Sequence, residues 1–221
     1  MNPLARAIIR CAAAPAAFTY DDIPDQLLRI NSLEGSLAFS GSTLTGVTDV
    51  SPVGGTVTVT GSPVYTAANA NLNGAASFTG PSVTAPNVDI ASIRFVASVL
   101  YMPDAGTRYI MDGDDGAARL YVNRNAIGSI QTSLGTISVA GEASAGRKRH
   151  LLALDGTTPS TLNGTNYGTH GLSSLTGLGI AIGQQHAGSN PSSVAFFMAC
   201  SAVPDAPTRA ALEAKLLADF G

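Results

Sequence analysis

The sequence predicts an all-β chain: a two-sheet antiparallel sandwich, closed by a short C-terminal helix and preceded by an N-terminal arm. Three observations predict it. Short apolar stretches recur about every 8 to 12 residues between Gly, Pro, Asn and Ser punctuation, which suits an antiparallel sandwich better than a parallel sheet with helices between its strands. Helical periodicity is confined to the two ends of the chain. At 221 residues there is enough chain for one sandwich with a core, in the size range where on the order of 70% of the unfolded surface is buried.

Taken in order, residues 1–30 read as an arm. Leu4 to Ala17 is Ala-rich, carries Arg6 and Arg10, and is followed by Asp21, Asp22 and Asp25. It resembles an export signal superficially, but Pro15 interrupts a weakly hydrophobic stretch, so a docking segment is the preferred reading. Leu4, Ile8 and Cys11, or Ala5, Ile8 and Ile9, line one side of a short helix. A helix that short is marginal alone in water and needs a surface to dock on. Leu4, Ile8, Ile9 and Cys11 are therefore the candidate partner-docking residues, whether against the chain's own sandwich or against a neighbour.

Residues 31–221 read as the sandwich. Thr56-Val-Thr-Val-Thr60 alternates strictly between Gly54-Gly55 and Gly61-Ser-Pro63, the pattern of a strand with one polar face. Further strands are expected at Val64 to Thr66, Ala76 to Phe78, Ile93 to Tyr101, Thr107 to Met111, Ala118 to Asn123, Ile127 to Thr132, Leu134 to Val139, Arg149 to Asp155 and Gly179 to Gly183. Val194 to Cys200 is the last of them. A helix from Thr208 to Asp219 follows, with Asp205 as N-cap, Pro207 in the first turn, and Leu212, Leu216 and Phe220 recurring every four residues on one face.

This closing order resembles the C-terminus of laminin-G-like, concanavalin-A-like jelly-roll domains. The matching residues are Ser193-Val-Ala-Phe-Phe-Met-Ala-Cys200, then Val203 through Gly221; upstream, Arg149-His-Leu-Leu-Ala-Leu-Asp-Gly156 and Ser160-Thr-Leu-Asn-Gly164 resemble a strand-and-turn pair of that family. The resemblance covers roughly residues 31–221, at fold level. It implies a jelly-roll sandwich and leaves function open, since this fold carries lectins, hydrolases, adhesins and virion proteins alike.

Composition excludes several partners. Charged residues make up 12% of the chain against about 25% in typical domains, so hydroxyls and amides must cover much of the surface. A net charge of −3 gives no reason to expect nucleic acid or an anionic membrane. No apolar run reaches the ~18 residues of a membrane-spanning helix.

The chemistry-bearing residues are sparse. Sandwich hydrolases that cut β-glucans place two carboxylates about 5 Å apart on one strand face; here Glu34, Glu142 and Glu213 are far apart in sequence, and Glu213 lies in the terminal helix. No Gly-x-Ser-x-Gly elbow occurs. Asp112-Gly-Asp-Asp-Gly116 reads as a turn, with Asp112, Asp114 and Asp115 as a weak candidate calcium cluster, since Ca²⁺ accepts carboxylate and carbonyl oxygens. Calcium is the one cofactor considered; none is expected to be required. His150, His170 and His186 lack zinc-ligand spacing, and His150 is expected to be a hydrogen-bonded residue beside the sheet. Arg147-Lys-Arg149 reads as a solvated strand entrance, and Cys11 and Cys200 as free or buried thiols. Sugar sites stack a ring face on Trp or Tyr; Trp is absent, leaving Tyr65, Tyr101, Tyr109, Tyr121 and Tyr167, and the loops Asn163-Gly-Thr-Asn166 and Gln184-Gln-His-Ala-Gly188.

These features favour a structural, non-enzymatic protein. An arm ahead of a compact sandwich is similar to accessory proteins of tailed bacteriophages, namely head decorations, head fibres and tail or baseplate appendages. The resemblance implies a virion protein that binds other virion proteins or copies of itself through the arm and touches host glycans. The alternative is a secreted or cell-surface carbohydrate-binding or adhesion module.

Overall fold

The computed structural model describes residues 17–80, 83–103, 107–113, 119–123, 129–132, 135–138, 146–171, 177–184 and 191–221. In chain order the strands are β1 (Gln26–Asn31), β2 (Leu37–Ser40), β3 (Thr43–Val47), β4 (Thr58–Val59), β5 (Val64–Thr66), β6 (Ser77–Thr79), β7 (Val83–Asp89), β8 (Phe95–Met102) and β9 (Thr107–Gly113). They continue as β10 (Arg119–Asn123), β11 (Ser129–Thr132), β12 (Gly135–Ser138), β13 (Gly146–Ala153), β14 (Asp155–Leu162), β15 (Thr165–Gly171), β16 (Leu178–Ile182) and β17 (Ser193–Cys200), and helix α1 (Ala206–Phe220) ends the chain. Among the described residues these form two antiparallel sheets, as the sequence predicts. One runs β15-β14-β13-β8-β17-β6-β5-β3-β2, with β1 also paired to β17; the other runs β12-β11-β10-β9-β16-β7-β4.

The first sheet is buried on both faces at its centre, which is why β8 and β17 read as nearly continuous apolar runs rather than alternating ones. One face meets the second sheet: Val96, Leu100, Leu152, Val194 and Phe197 pack with Val83, Met111, Ile180 and Ile182. The other face lies under α1: Phe95, Ala97, Val99, Phe196, Met198 and Cys200 pack with Leu212, Leu216 and Phe220. Those three helix residues are fully buried, each worth about 1.5–3 kcal/mol of hydrophobic stabilisation. Asp205 caps the helix by accepting from the Thr208 amide at 2.8 Å, with proline in the first turn.

A register shift between Val194 and Phe196 inserts Ala195 into β17. That bulge explains the imperfect alternation of the strand: Val194, Phe197 and Ala199 reach the core between the sheets, while Ala195, Phe196, Met198 and Cys200 face α1. Gly183 closes the approach to it. Its φ is +68°, and a Cβ there would collide with the Val194 side chain, so only glycine fits without strain.

Four sequence expectations are corrected here. The boundary at residue 30 falls inside β1, which pairs with β17 from Gln26↔Cys200 to Asn31↔Phe196. Because β6 meets β17 only at Val194, the rest of that edge would expose unpaired backbone without β1. Leu28 and Ile30 enter the core between the sheets, and Tyr20 and Ile23 the layer under α1, so residues 20–30 are built into the sandwich. Asp112 and Gly113 belong to strand β9 rather than to a turn, held opposite Ala181 and Ile180 of β16. The Arg147-Lys-Arg149 entrance is not solvated: Lys148 and Arg149 are buried, because β13 is covered on both faces. The strand expected over 56–60 shrinks to Thr58–Val59.

Candidate functional site

β1 is anchored by a buried polar knot. Arg29 donates to the Val50 carbonyl at 2.6 Å and to Gln26 Oε1 at 3.1 Å, and pairs with Asp21 at 2.8 Å and Glu34 at 3.2 Å. Asp49 accepts from the amides of Arg29, Ser51 and Gly55. Both of its oxygens are engaged by the chain's own backbone, so Asp49 acts as a fastening.

Of the histidines, His150 is fully buried opposite Ser98, with Nδ1 3.4 Å from the Ser98 hydroxyl oxygen, a hydrogen-bonded place in the sheet of the kind the sequence predicts. His186 and the side chain of His170 lie outside the described residues. So do Asp114 and Asp115, leaving the proposed calcium cluster represented by Asp112 alone, and no group of three metal-ligating side chains occurs among the described residues. Leu4, Ile8, Ile9 and Cys11 also lie outside them. Cys200 is a buried free thiol, and burial, assisted by the charge of Asp25, pushes it up to about 12. Among the described residues no helix is long and apolar enough to cross a membrane.

Two surface features stand out among the described residues. The first is aromatic. Phe39 on β2 lies directly across from Leu44 on β3, and Tyr65 on β5 directly across from Phe78 on β6, so all four side chains share the face that looks toward the second sheet. Phe78 and Leu44 are buried in the core, Tyr65 is half-buried against it, and Phe39, on the edge strand, is 52% exposed. The Phe39 and Tyr65 rings are parallel, 6° apart in orientation, with centroids 4.0 Å apart. The core thus runs outward into an aromatic step at the open margin of the sandwich. Tyr65 is among the sequence candidates; Phe39 is not, since Trp and Tyr are the stacking residue types named there and no strand is expected over residues 37–40.

The second feature is a cleft of about 360 Å³ between α1 and the β13–β14 pair, lined by Leu151, Thr161, Ala206, Arg209, Ala210 and Glu213. Gly164, from the Asn163-Gly-Thr-Asn166 loop singled out in the sequence, lies at its rim. Asn163 and Gly164 form the tight turn from β14 to β15 with φ of +49° and +82°, the left-handed pair that Asn-Gly tolerates. Asn163 Oδ1 in turn accepts from the Arg149 amide at 2.9 Å. Arg149 Nε meets Glu213 Oε1 at 3.2 Å, and Arg209 donates through Nη1 to the Pro159 carbonyl at 3.0 Å. Glu213 Oε2, Arg209 Nε and Thr161 Oγ1 are shielded from solvent and have no hydrogen-bond partner. Each such group costs about 1–3 kcal/mol. Glu213, set aside in the sequence as a terminal-helix residue, is brought by the fold against β13.

No protein family pattern matches the chain, and no curated protein is detectably similar to it. Among solved structures it is similar to Trypanosoma rangeli sialidase in complex with sialic acid, at a TM-score of 0.47 and 10% identity over 86% of this chain and 32% of that one. A second structure of that sialidase, with 2,3-difluorosialic acid as a covalent intermediate, gives the same TM-score at 12% identity over 96% and 35%. The chain spans about a third of the length of these structures. A likeness this distant carries no residue and no activity across. The expectation that the chain is not an enzyme is withdrawn: the two solved structures named above are of a sialidase.

Proposed function

We propose that this chain is a carbohydrate-binding β-sandwich that takes a sugar ring on the Phe39–Tyr65 step. The carrying observation is the half-exposed Phe39 ring, held flat by its parallel contact with Tyr65 at the open margin of the sheet. An apolar ring fixed in orientation, on a surface otherwise rich in hydroxyls and amides, suits the C–H face of a pyranose while neighbouring polar groups meet its hydroxyls. The sialic acid bound by the sialidase of the structural comparison is consistent with a carbohydrate ligand and does not support a particular one.

The virion reading drew on an arm over residues 1–30 together with the sparse chemistry of the chain. Residues 20–30 of that arm are built into the chain's own sandwich, the docking residues Leu4, Ile8, Ile9 and Cys11 lie outside the described residues, and the glycan reading is preferred because it has an exposed aromatic step to stand on.

A glycan array probed with labelled protein tests this. The wild type is expected to bind at least one glycan reproducibly, and Phe39→Ala to weaken that binding about tenfold, or ~1.4 kcal/mol, with an unchanged melting temperature. Failure of the wild type to bind any glycan, or equal binding by a folded Phe39→Ala protein, would refute the proposal. If Phe39→Ala instead dissolved an oligomer without affecting glycans, the step would be an assembly surface.

A further inference from the structure

We infer that the ligand of the aromatic step is an uncharged pyranoside, recognised through its ring face and hydroxyls without an ion pair; this rests on the glycan reading above and names its substrate class. No Lys, Arg or His occurs between Arg29 and Arg94, and between Glu34 and Asp89 the single charged residue is Asp49. That span supplies β2 through β7, and the topology gathers all six strands at one margin of the sandwich. There β6, β5, β3 and β2 end the first sheet, and β7 and β4 end the second. β3 lies against β4 across the two sheets, so the Phe39–Tyr65 step is framed by strands that hold no cation.

The charges that bound this span are committed elsewhere. Asp49 accepts from three backbone amides. Arg29 is held by the Val50 carbonyl, Gln26, Asp21 and Glu34, and Arg94 donates to the carbonyls of Ala91 and Ile93 at 2.6 and 2.9 Å. Sugars that carry a carboxylate, such as sialic and uronic acids, are gripped by charge-assisted hydrogen bonds, above all from a guanidinium fork. None of the six strands has a side chain that can offer one, and the chain's net charge of −3 works against an approaching anion. What borders the rings is hydroxyl. Ser40 follows Phe39 directly, and Ser42, exposed in the same hairpin, accepts from the Tyr65 amide through its carbonyl at 2.8 Å. Serine hydroxyls both donate and accept, which matches the hydroxyls of a neutral sugar whose C–H face lies on the rings.

The test uses the full chain on an array that pairs neutral glycans with carboxylated counterparts, including lactose with sialyllactose and methyl glucopyranoside with methyl glucuronide. Glycans whose binding falls in a folded Phe39→Ala protein report on the step. These are expected to be uncharged, and the carboxylated member of each such pair should bind several-fold more weakly. For the strongest of them, titration calorimetry should give a Kd that changes by less than about twofold when sodium chloride is raised from about 0.05 to about 0.5 M, because no ion pair is there to be screened. Phe39-dependent binding that is strongest for sialylated or uronic glycans, equal binding of the two members of a pair, or a larger loss with salt would each overturn this inference while leaving the glycan reading in place. Absence of any Phe39-dependent glycan binding would overturn both.

Discussion

Tyr20 offers the sharpest test of how the N-terminal segment belongs to the fold. Its ring is 2% exposed, lies 4.9 Å from the Phe196 ring, and has the Lys215 ammonium 5.0 Å from its centroid. Its hydroxyl donates to Asp219 Oδ2 at 2.7 Å, and burial together with that carboxylate holds the phenol well above its ordinary range, so it stays a donor at all physiological pH. Tyr20→Ala removes an aromatic ring from a layer where the sheet and α1 leave little room to collapse, and is expected to cost about 3–5 kcal/mol. Tyr20→Phe keeps the ring and forfeits only the hydrogen bond to a charged acceptor, for about 1–2 kcal/mol. Urea unfolding followed by far-UV circular dichroism, with unchanged m-values, gives both numbers. Deleting residues 2–22, which removes Tyr20 itself, should lower the midpoint at least as far as Tyr20→Ala. A Tyr20→Ala cost below about 0.5 kcal/mol would place the residue on the surface and refute the argument. Equal costs for Ala and Phe would assign the whole effect to the hydroxyl and refute the packing part of it.

Three further outcomes are expected. Leu216→Ala, at the centre of the buried helix face, should destabilise by about 2–5 kcal/mol in the same urea assay, and a change under about 0.5 kcal/mol would mean that α1 does not pack as described. Cys200 should resist a thiol reagent in the folded protein and react on unfolding; with its thiol raised from 9.0 to about 12 by burial, its contribution to stability is present below pH 9 and falls as pH rises from there toward 12, a fall that Cys200→Ala should abolish. Burial pulls Asp155 upward, but hydrogen bonds from the Thr158 hydroxyl and the Thr157 and Thr158 amides outweigh it and hold the carboxyl at about 2; the stabilisation is present above the ordinary value of 3.8, is lost as pH falls from there through about 2, and should be missing from the acid limb of an Asp155→Asn stability profile.

The residues that announced themselves did so through local rules. Asp205, the following proline and the four-residue recurrence of Leu212, Leu216 and Phe220 specify α1 from neighbours alone. The β5 strand, from Val64 to Thr66, and the body of β17 follow from strand-forming runs between turn residues. Phe95, Val99, Leu152, Leu154, Ile180, Ile182 and Phe197, which lie in runs named as strands, are buried.

What pairs with what was not legible, because pairing is decided by distant backbone groups. Residues 26–30 looked like part of an arm until β17, some 170 residues away, presented an edge that β6 leaves open. Arg149 and Glu213 look like ordinary surface charges in their own segments, and become a shielded pair because α1 crosses the outer face of β13. Phe39 sits in a strand, β2, that the sequence did not announce, and there it takes the core face. Whether that face is covered depends on where the opposing sheet stops, and β2, at the edge of the first sheet, lies where the core opens to solvent. The sequence alone therefore determined the class of fold and its closing helix, which rest on periodicity and caps. Only the tertiary structure decided which polar groups are left unpartnered and which aromatic ring meets solvent, since both depend on the distance between segments that the chain order keeps apart.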